Sequence, residues 1–194
     1  ALPAGRVKDG GKAIRFGLNA IKNVGAAALE FILKARKDEP FSSFSDFLNK
    51  VNLQKVNKKV IESLIKVGAF DRFGQRTALL AYLPQARDAA TKLAKERLSG
   101  QTSLFGSAEK SIKDLKDNVP EVEEAPLSEI LKNEKELLGV YLTGHPIKAL
   151  SAQIRNRLTH KLNQLDKNMN GQSVSVAGII ASLRLVNTKK NNSR

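Results

Sequence analysis

The sequence predicts a mainly α-helical protein in which a unit of helix, short turn and helix occurs twice. Apolar residues recur at helical spacing in several segments. Gly25 lies between the two helices predicted in the first unit, and Gly68 follows the first helix of the second unit. Ser43 and Asn57 stand where helix N-caps are expected, each just before an apolar helical pattern. These observations favour a single helical domain over residues 1–99.

The first unit lies between residues 18 and 37. A short apolar stretch over residues 18–21 precedes a turn that ends at Gly25, and a longer helix is expected over residues 26–37. The apolar residues near helical spacing in that helix are Ala27, Leu29, Ile32 and Leu33. Upstream, the Asp-Gly-Gly sequence between alternating segments predicts a β-hairpin over residues 6–16, because such turns need positive φ angles.

The second unit follows a small connector helix. Ser43, with Asp46 three residues later, resembles a capping box that starts the connector. Its expected inward residues are Phe44, Phe47, Leu48 and Val51. Asn57 predicts the start of a helix over residues 58–67, with Val60, Ile61, Leu64 and Ile65 on one apolar face and Gly68 after its end. A long helix is expected over residues 76–99, kinked or split by Pro84.

Composition limits the classes of function. The 194 residues include 33 Lys and Arg against 19 Asp and Glu, which gives a formal net charge of +14. The chain has no cysteine, which excludes disulfides, thiolate catalysis and Cys-ligated metals, and its two histidines are isolated. No apolar run is long enough for a membrane span, and no secretory leader is expected. A basic protein of this kind favours an anionic partner, of which nucleic acid is the commonest large one.

The charge is distributed in three blocks. Residues 1–100 carry 19 basic and 9 acidic side chains, residues 101–150 carry 6 and 9, and residues 151–194 carry 8 and 1. An acidic stretch between two basic ones indicates a linker between two anion-binding modules. The alternative is that the lysine-rich helices are ordinary solvated surface.

The two turns predict phosphate sites. A tight turn can expose backbone N–H groups, and the following helix adds its unsatisfied N-terminal N–H groups and the positive end of its dipole. Such a site would hold duplex phosphates without reading sequence. The predicted DNA-binding residues are Lys22, Asn23, Val24, Gly25 and Ala26 in the first unit, and Lys66, Val67, Gly68, Ala69, Arg72 and Arg76 in the second. The alternative is an ordinary helix corner in which glycine merely ends a helix.

Five segments resemble the helix-hairpin-helix region of the alpha subunit of bacterial replicative DNA polymerase III. They are residues 13–25 (AIRFGLNAIKNVG), 44–47 (FSDF), 56–59 (VNKK), 64–71 (LIKVGAFD) and 138–146 (LGVYLTGHP). The resemblance covers essentially the whole chain. The usual hairpin of such modules carries Pro-Gly where Lys22 and Asn23 stand here, and the second turn is less regular still.

The resemblance implies a role in DNA replication as part of a DNA-directed DNA polymerase, a cytoplasmic nucleotidyltransferase with other replicase subunits as partners. In the family, a cluster of aspartates holds two Mg²⁺ ions in a palm domain that precedes this region. The eight aspartates here include no Asp-x-Asp pair, so no catalytic residue, metal site or cofactor is expected in this chain.

A short apolar motif lies in the acidic stretch. Leu104 and Phe105 follow Gln101 and Ser103 in a segment bounded by glycines. Apolar anchors in such a segment either pack on their own protein or dock in a partner's pocket. The residues Gln101, Ser103, Leu104 and Phe105 also resemble the pentapeptide that binds the sliding clamp (the beta subunit) in bacterial replication proteins, and they occupy the position that the polymerase family implies.

The rest of the chain completes the predicted organisation. Residues 100–126 are expected to be a linker, and residues 127–165 a helical connector that begins with a helix over residues 127–142. Alternation over residues 173–186 and the family comparison predict that residues 166–194 begin an OB-fold. An OB barrel needs five strands, so no working OB site is expected.

Two other functions stay open. The chain could be a basic RNA- or ribosome-binding module that uses the same turns. It could also be the hairpin module of a DNA-repair nuclease or lyase, although no nucleophilic Lys beside a catalytic carboxylate can be identified.

Overall fold

The computed structural model describes residues 16–37, 39–98, 117–146, 157–180 and 182–184. The chain divides into two compact units, Ala1–Thr143 and Gly144–Arg194. The predicted β-hairpin, apart from Phe16, and the four residues of the predicted clamp motif lie outside the described residues.

The first unit contains five α-helices in its described part. They are α1 (Ala26–Arg36), α2 (Phe44–Lys50), α3 (Lys58–Lys66), α4 (Arg76–Leu98) and α5 (Leu127–Leu138), and a 3-10 helix over Leu18–Ala20 precedes α1. The predicted caps are present: the Ser43 hydroxyl accepts from the Asp46 amide and the Asn57 side chain accepts from the Val60 amide. The mainly helical prediction is therefore confirmed for these residues.

The core lies where α2, α3 and α4 meet. The inward faces predicted for α2 and α3 are confirmed, since all eight of their apolar residues are buried. Phe44, Phe47 and Phe70 form an aromatic cluster, with ring centroids 5.2 Å apart for Phe44–Phe70 and 4.7 Å apart for Phe47–Phe70. Helix α4 adds Leu79 and Leu83, both almost fully buried, and α5 adds Leu137 and Leu138 from the far end of the unit.

Two helices differ from the sequence prediction. Helix α1 buries Ala28 and Ile32, whereas Ala27 is exposed and Leu33 is 56% exposed, so the predicted inward face was partly wrong. The sequence offered alanines at three successive positions, and the apolar pattern alone could not fix the rotation of the helix. Helix α4 is not split at Pro84, which lies inside it at an exposed position.

Helix α5 ends four residues earlier than predicted. Gly139 adopts φ +76°, in the left-handed region, and its N–H group donates to the Lys135 carbonyl. A glycine at this position satisfies a helix-terminal carbonyl and turns the chain away. Tyr141 and Leu142 therefore follow the helix and do not belong to its face, and α5 packs on α3 within the first unit.

The second unit is described in part. It contains two 3-10 helices, Leu162–Gln164 and Lys167–Met169. Residues 173–180 and 182–184 include no strand. The Ser175 carbonyl accepts from the N–H groups of Thr159 and His160, and the Ser175 N–H group donates to the Thr159 hydroxyl. The OB strand thus stays a prediction. Ile180 and Leu183 are about four-fifths exposed, at 81% and 82%.

Candidate nucleic-acid interface

The first hairpin consists of the 3-10 helix, the turn over residues 22–25 and α1. Ile21 and Val24 anchor the turn, since both side chains are buried in the core. Asn23, between them in the turn, has φ +71°, a left-handed conformation that asparagine tolerates better than most residues. Its side-chain amide donates to the Ser63 hydroxyl on α3, at 3.1 Å. The turn is therefore held on the protein surface in one conformation.

The backbone of this turn is also attached to α5. The N–H group of Lys22 donates to the Leu137 carbonyl at 2.9 Å, and that of Val24 donates to the Ile21 carbonyl at 3.1 Å. The Lys22 side chain remains exposed. Two of the backbone donors predicted to bind phosphate, those of Lys22 and Val24, are thus used within the protein.

The donors at the start of α1 have a different environment. Gly25 is the N-cap residue and is exposed, as are Ala26 and Ala27. The structure records no acceptor among the described residues for the N–H groups of Gly25 and Ala26. These groups lie at the positive end of the α1 dipole on exposed residues, as an anion site at a helix N-terminus requires.

The backbone conformation at Gly25 does not require glycine. Its φ of −77° and ψ of 159° are ordinary for any residue. A Cβ atom built at this position would meet no heavy atom within 4 Å. The fold therefore leaves open space at the Cβ position of Gly25, beside N–H groups that have no recorded acceptor among the described residues, and a side chain would fit there.

The second hairpin, formed by α3, the turn over residues 67–75 and α4, has a closed turn. The N–H groups of Val67, Gly68 and Ala69 donate to the carbonyls of Ser63, Ile65 and Leu64, and the last two bonds are those of a Schellman motif. Gly68 has φ +80° and is buried, and a Cβ atom there would lie 2.6 Å from the Asp71 carboxylate. Gly68 is thus required by the turn itself, which leaves none of these three N–H groups for a phosphate.

The side chain of Arg76 is also used within the fold. Its guanidinium bonds to Asp71 at 2.9 Å, to Glu134 at 3.1 Å, to the Lys66 carbonyl at 3.1 Å and to the Thr143 hydroxyl at 3.2 Å. Although burial disfavours the charged form, the hydrogen bonds and charges of Asp71 and Glu134 outweigh it and raise the pKa of Arg76. Only 12% of this side chain is exposed, so most of Arg76 lies within an internal ion-pair network.

Glu134 lies at the centre of this network and is fully buried. Its carboxylate accepts from the N–H groups of Leu142 and Thr143 at 2.7 and 2.9 Å, and from the Thr143 hydroxyl. Burial by itself would raise the pKa of Glu134, but the bonds from Thr143, Leu142 and Arg76 lower it below its ordinary value. Glu134 thus joins α5, the segment after it and the start of α4.

The N-terminus of α4, predicted to bind DNA phosphate, is occupied by Glu124. This carboxylate accepts from the Arg76 N–H group at 2.8 Å, from the Thr77 N–H group at 3.1 Å and from the Thr77 hydroxyl at 2.6 Å. Burial opposes ionisation, but the hydrogen bonds from Thr77, Ala125 and Arg76 lower the pKa of Glu124. The carboxylate takes the place that a phosphate oxygen would occupy at an open helix N-terminus.

Asp117 occupies the N-terminus of α2 in the same way as Glu124 occupies that of α4. Its two oxygens accept from the N–H groups of Phe44 and Ser45 at 2.7 and 2.8 Å. Asp117 and Glu124 come from the segment predicted as a linker, and they attach it to the helices. Sequence reasoning missed both contacts because they join residues 47 to 73 positions apart, and a carboxylate in an acidic stretch carries no mark of such a partner.

The remaining predicted residues are on the surface. Arg72 is exposed, with its guanidinium 5.0 Å from the centre of the Phe73 ring, and Lys66 is half-buried. Within the described ranges, no three histidine, aspartate or glutamate side chains are arranged to hold a metal ion. No helix in the described part of the chain has the length and apolarity that crossing a membrane requires.

The chain is similar to known proteins over most of its length. A family model described as a helix-hairpin-helix motif matches residues 4–79. The DNA polymerase III subunit alpha of Campylobacter jejuni is 38% identical over 179 residues, which cover 91% of this chain and 14% of that protein. That of Vibrio cholerae is 37% identical over 186 residues, covering 95% of this chain and 16% of that protein.

Over almost its whole length, this chain is similar to one segment of the DNA polymerase III alpha subunits. The resemblance predicted from the sequence is thereby confirmed, as is the helix-hairpin-helix motif. The chain spans about one sixth of the length of the DNA polymerase III alpha subunits that it matches.

Proposed function

We propose that this chain is the part of a replicative polymerase alpha subunit that holds the backbone of duplex DNA, without regard to sequence, through the first hairpin. The predicted pair of phosphate sites is reduced to one, because the turn and helix N-terminus of the second hairpin are occupied by the protein's own groups. The net charge of +14 supports the attraction to DNA.

The observation that carries this proposal is the environment of Gly25. Its conformation suits any residue, its Cβ position is empty, and the N–H groups beside it have no recorded acceptor among the described residues. A glycine that the fold does not require fits a place where a phosphate approaches the backbone closely. Lys22, exposed in the same turn, adds a positive charge.

The test is the variant Gly25→Val, assayed by titration of the chain against a duplex of arbitrary sequence over a series of salt concentrations. We expect weaker binding at every salt concentration, because the valine side chain blocks the phosphate while the helices still form. The matched control is Gly144→Val, at another glycine whose Cβ would meet no heavy atom within 4 Å and whose φ lies outside the left-handed region, with each fold checked by circular dichroism. Equal affinity of a folded Gly25→Val protein and the parent chain would refute the site.

We further propose that Gln101, Ser103, Leu104 and Phe105 tether the chain to the sliding clamp. The support is the match of these residues to the clamp-binding pentapeptide and their position between the hairpins and α5. Tethering would keep the polymerase on DNA and is independent of the phosphate site. The double variant Leu104→Ala/Phe105→Ala, titrated against the clamp and against duplex DNA, tests it.

The polymerase chemistry is assigned to other parts of the alpha subunit, which would bind Mg²⁺ and act together with other replicase subunits in the cytoplasm. Support comes from the sequence, in which no Asp-x-Asp pair is present to hold two ions. Metal-dependent nucleotide incorporation by the purified chain would contradict this. The RNA-binding alternative is tested by competition: duplex DNA should displace a folded RNA of equal length, and the reverse preference would favour the alternative.

A further inference from the structure

The contact between Asn23 and Ser63 places the tip of the first hairpin on a particular face of α3. Ser63 is 3% exposed, and the Asn23 amide lies over it at 3.1 Å. Residues three or four positions apart on a helix lie on the same face, about 5–6 Å apart at Cβ. Four residues have this spacing from Ser63: Val60 and Val67 are buried, whereas Lys59, four positions before it, and Lys66, three positions after it, reach the surface.

Both lysines have their charge available. The structure records no ion pair between Lys59 or Lys66 and any described residue. The acidic side chain of α3, Glu62, pairs with Lys58 at 3.7 Å. Lys59 is exposed and Lys66 half-buried. The two are therefore positioned as unpaired positive charges on either side of the hairpin tip.

The spacing fits a polyanion. Seven residues of helix rise about 10 Å between Lys59 and Lys66. One DNA strand carries a phosphate about every 3.4 Å of duplex axis, so this distance corresponds to about three steps and takes in a run of three to four phosphates. Lysine binds phosphate as a point charge without needing a fixed geometry, which suits contact with a backbone of any sequence.

We propose that Lys59 and Lys66 of α3 bind the phosphates on either side of the one held by the first hairpin. The three contacts form one surface for a single strand of a duplex. This proposal rests on the proposed function of the first hairpin, and it transfers Lys66 from the second hairpin to the first. Lys59, which sequence reasoning left out, becomes a DNA-binding residue.

The experiment compares two double variants with the same loss of charge. Lys59→Ala/Lys66→Ala removes the proposed contacts, and Lys92→Ala/Lys95→Ala removes two exposed lysines of α4. Each is titrated with a duplex over a salt series. We expect the first to lower affinity about tenfold at low salt and to flatten the log–log salt slope by about 1.8, or about 0.9 for each lost phosphate contact. The α4 control should leave the slope unchanged.

The outcomes separate this proposal from the one on which it rests. Equal affinities and slopes for the two double variants would overturn the role of the α3 lysines. If Gly25→Val binds normally while the α3 variant is weakened, the hairpin site fails and the α3 lysines stand as DNA contacts. The single variant Lys59→Ala changes only an exposed side chain, so it tests the proposal even if the Lys66 substitution disturbs folding. Its log–log salt slope should be flatter than that of the parent chain by about 0.9. The variant Lys59→Arg, which keeps the positive charge, should have the same salt slope as the parent chain.

Discussion

The guanidinium of Arg76 and the carboxylate of Glu134 form an ion pair at 3.1 Å between the start of α4 and the inner face of α5. Glu134 is fully buried, and Arg76 is 12% exposed. Around them, Asp71, Thr143 and the backbones of Lys66 and Leu142 supply the remaining partners. The network joins the second hairpin to α5, and it occupies the Arg76 side chain that the sequence assigned to DNA binding.

Removing Glu134 should destabilise the fold strongly. Glu134→Ala leaves the Arg76 charge with one carboxylate partner and strands the N–H groups of Leu142 and Thr143. We expect a loss of about 3–5 kcal/mol in the free energy of unfolding, as is typical when one partner of a buried pair is removed. Urea unfolding near neutral pH measures it. The control is Glu136→Ala, an exposed residue of the same helix, which should change stability by less than about 0.5 kcal/mol.

Stability should fall in acid. The pKa values of Asp46, Glu124 and Glu134 are all lowered in the folded protein, so the folded state binds protons less readily than the unfolded state. Their contribution is present above the ordinary pKa values of 3.8 for Asp and 4.5 for Glu, and it is lost as pH falls below them. Urea unfolding from about pH 7 to about pH 3 tests this.

The variant Glu124→Gln distinguishes the titration of this carboxylate from other effects of acid on stability. Glu124→Gln cannot titrate at this position but keeps a side-chain oxygen that can accept from Thr77. Its stability should therefore decline less steeply than that of the parent chain below about pH 4.5. Parallel curves for the two proteins would contradict the assignment of Glu124.

Substitution by alanine should destabilise the protein much more at Gly68 than at Gly25. Gly68→Ala should reduce stability by more than about 2 kcal/mol, because φ is +80° there and the new Cβ would crowd Asp71 and Arg76. Gly25→Ala should change stability by no more than about 1 kcal/mol, since its conformation and surroundings accept a side chain. Thermal unfolding of the two variants side by side is the measurement, and equal losses would mean that Gly25 also has a structural role.

Local patterns predicted much of this fold. Ser43 and Asn57 each bond to a backbone N–H three residues later, so the sequence alone indicates where α2 and α3 begin. The inward faces of these helices follow from apolar spacing. The end of α5 was missed because the pattern continued through Tyr141 and Leu142, while the left-handed Gly139 had already ended the helix.

The candidate site was less predictable than the fold. From the sequence, Gly25 and Gly68 are equivalent turn glycines, and only their φ angles and neighbours distinguish an open site from a closed one. Glu124 and Asp117, which occupy the N-termini of α4 and α2, come from a segment distant in sequence. The position of Lys59 beside the hairpin depends on the contact between Asn23 and Ser63, which are 40 residues apart. Such long-range contacts leave no periodic pattern in the sequence.

The acidic segment that caps α4 should stabilise it. Glu124→Ala removes the acceptor of the Arg76 and Thr77 N–H groups and should lower stability by about 1–2 kcal/mol, the range for loss of a helix cap. Amide hydrogen exchange should rise in the first turn of α4 before it rises in α2, which keeps its Asp117 cap. Glu123→Ala, an exposed neighbour with the same change in charge, is the control and should exchange like the parent chain.

Clamp binding should depend on two apolar side chains and leave DNA binding unchanged. Leu104→Ala/Phe105→Ala should weaken binding to the sliding clamp by roughly 2–4 kcal/mol, or about 30- to 1,000-fold, as expected when the anchors of a docked peptide are removed. The measurement is a paired titration of the parent chain and the variant against the clamp and against duplex DNA. Leu98→Ala is not a suitable control, because Leu98 belongs to α4. Equal clamp affinities would favour packing of these residues on their own protein. A joint loss of clamp and DNA binding would instead assign Phe105 to the core, because the phosphate contacts proposed for Gly25 and Lys59 do not involve this segment.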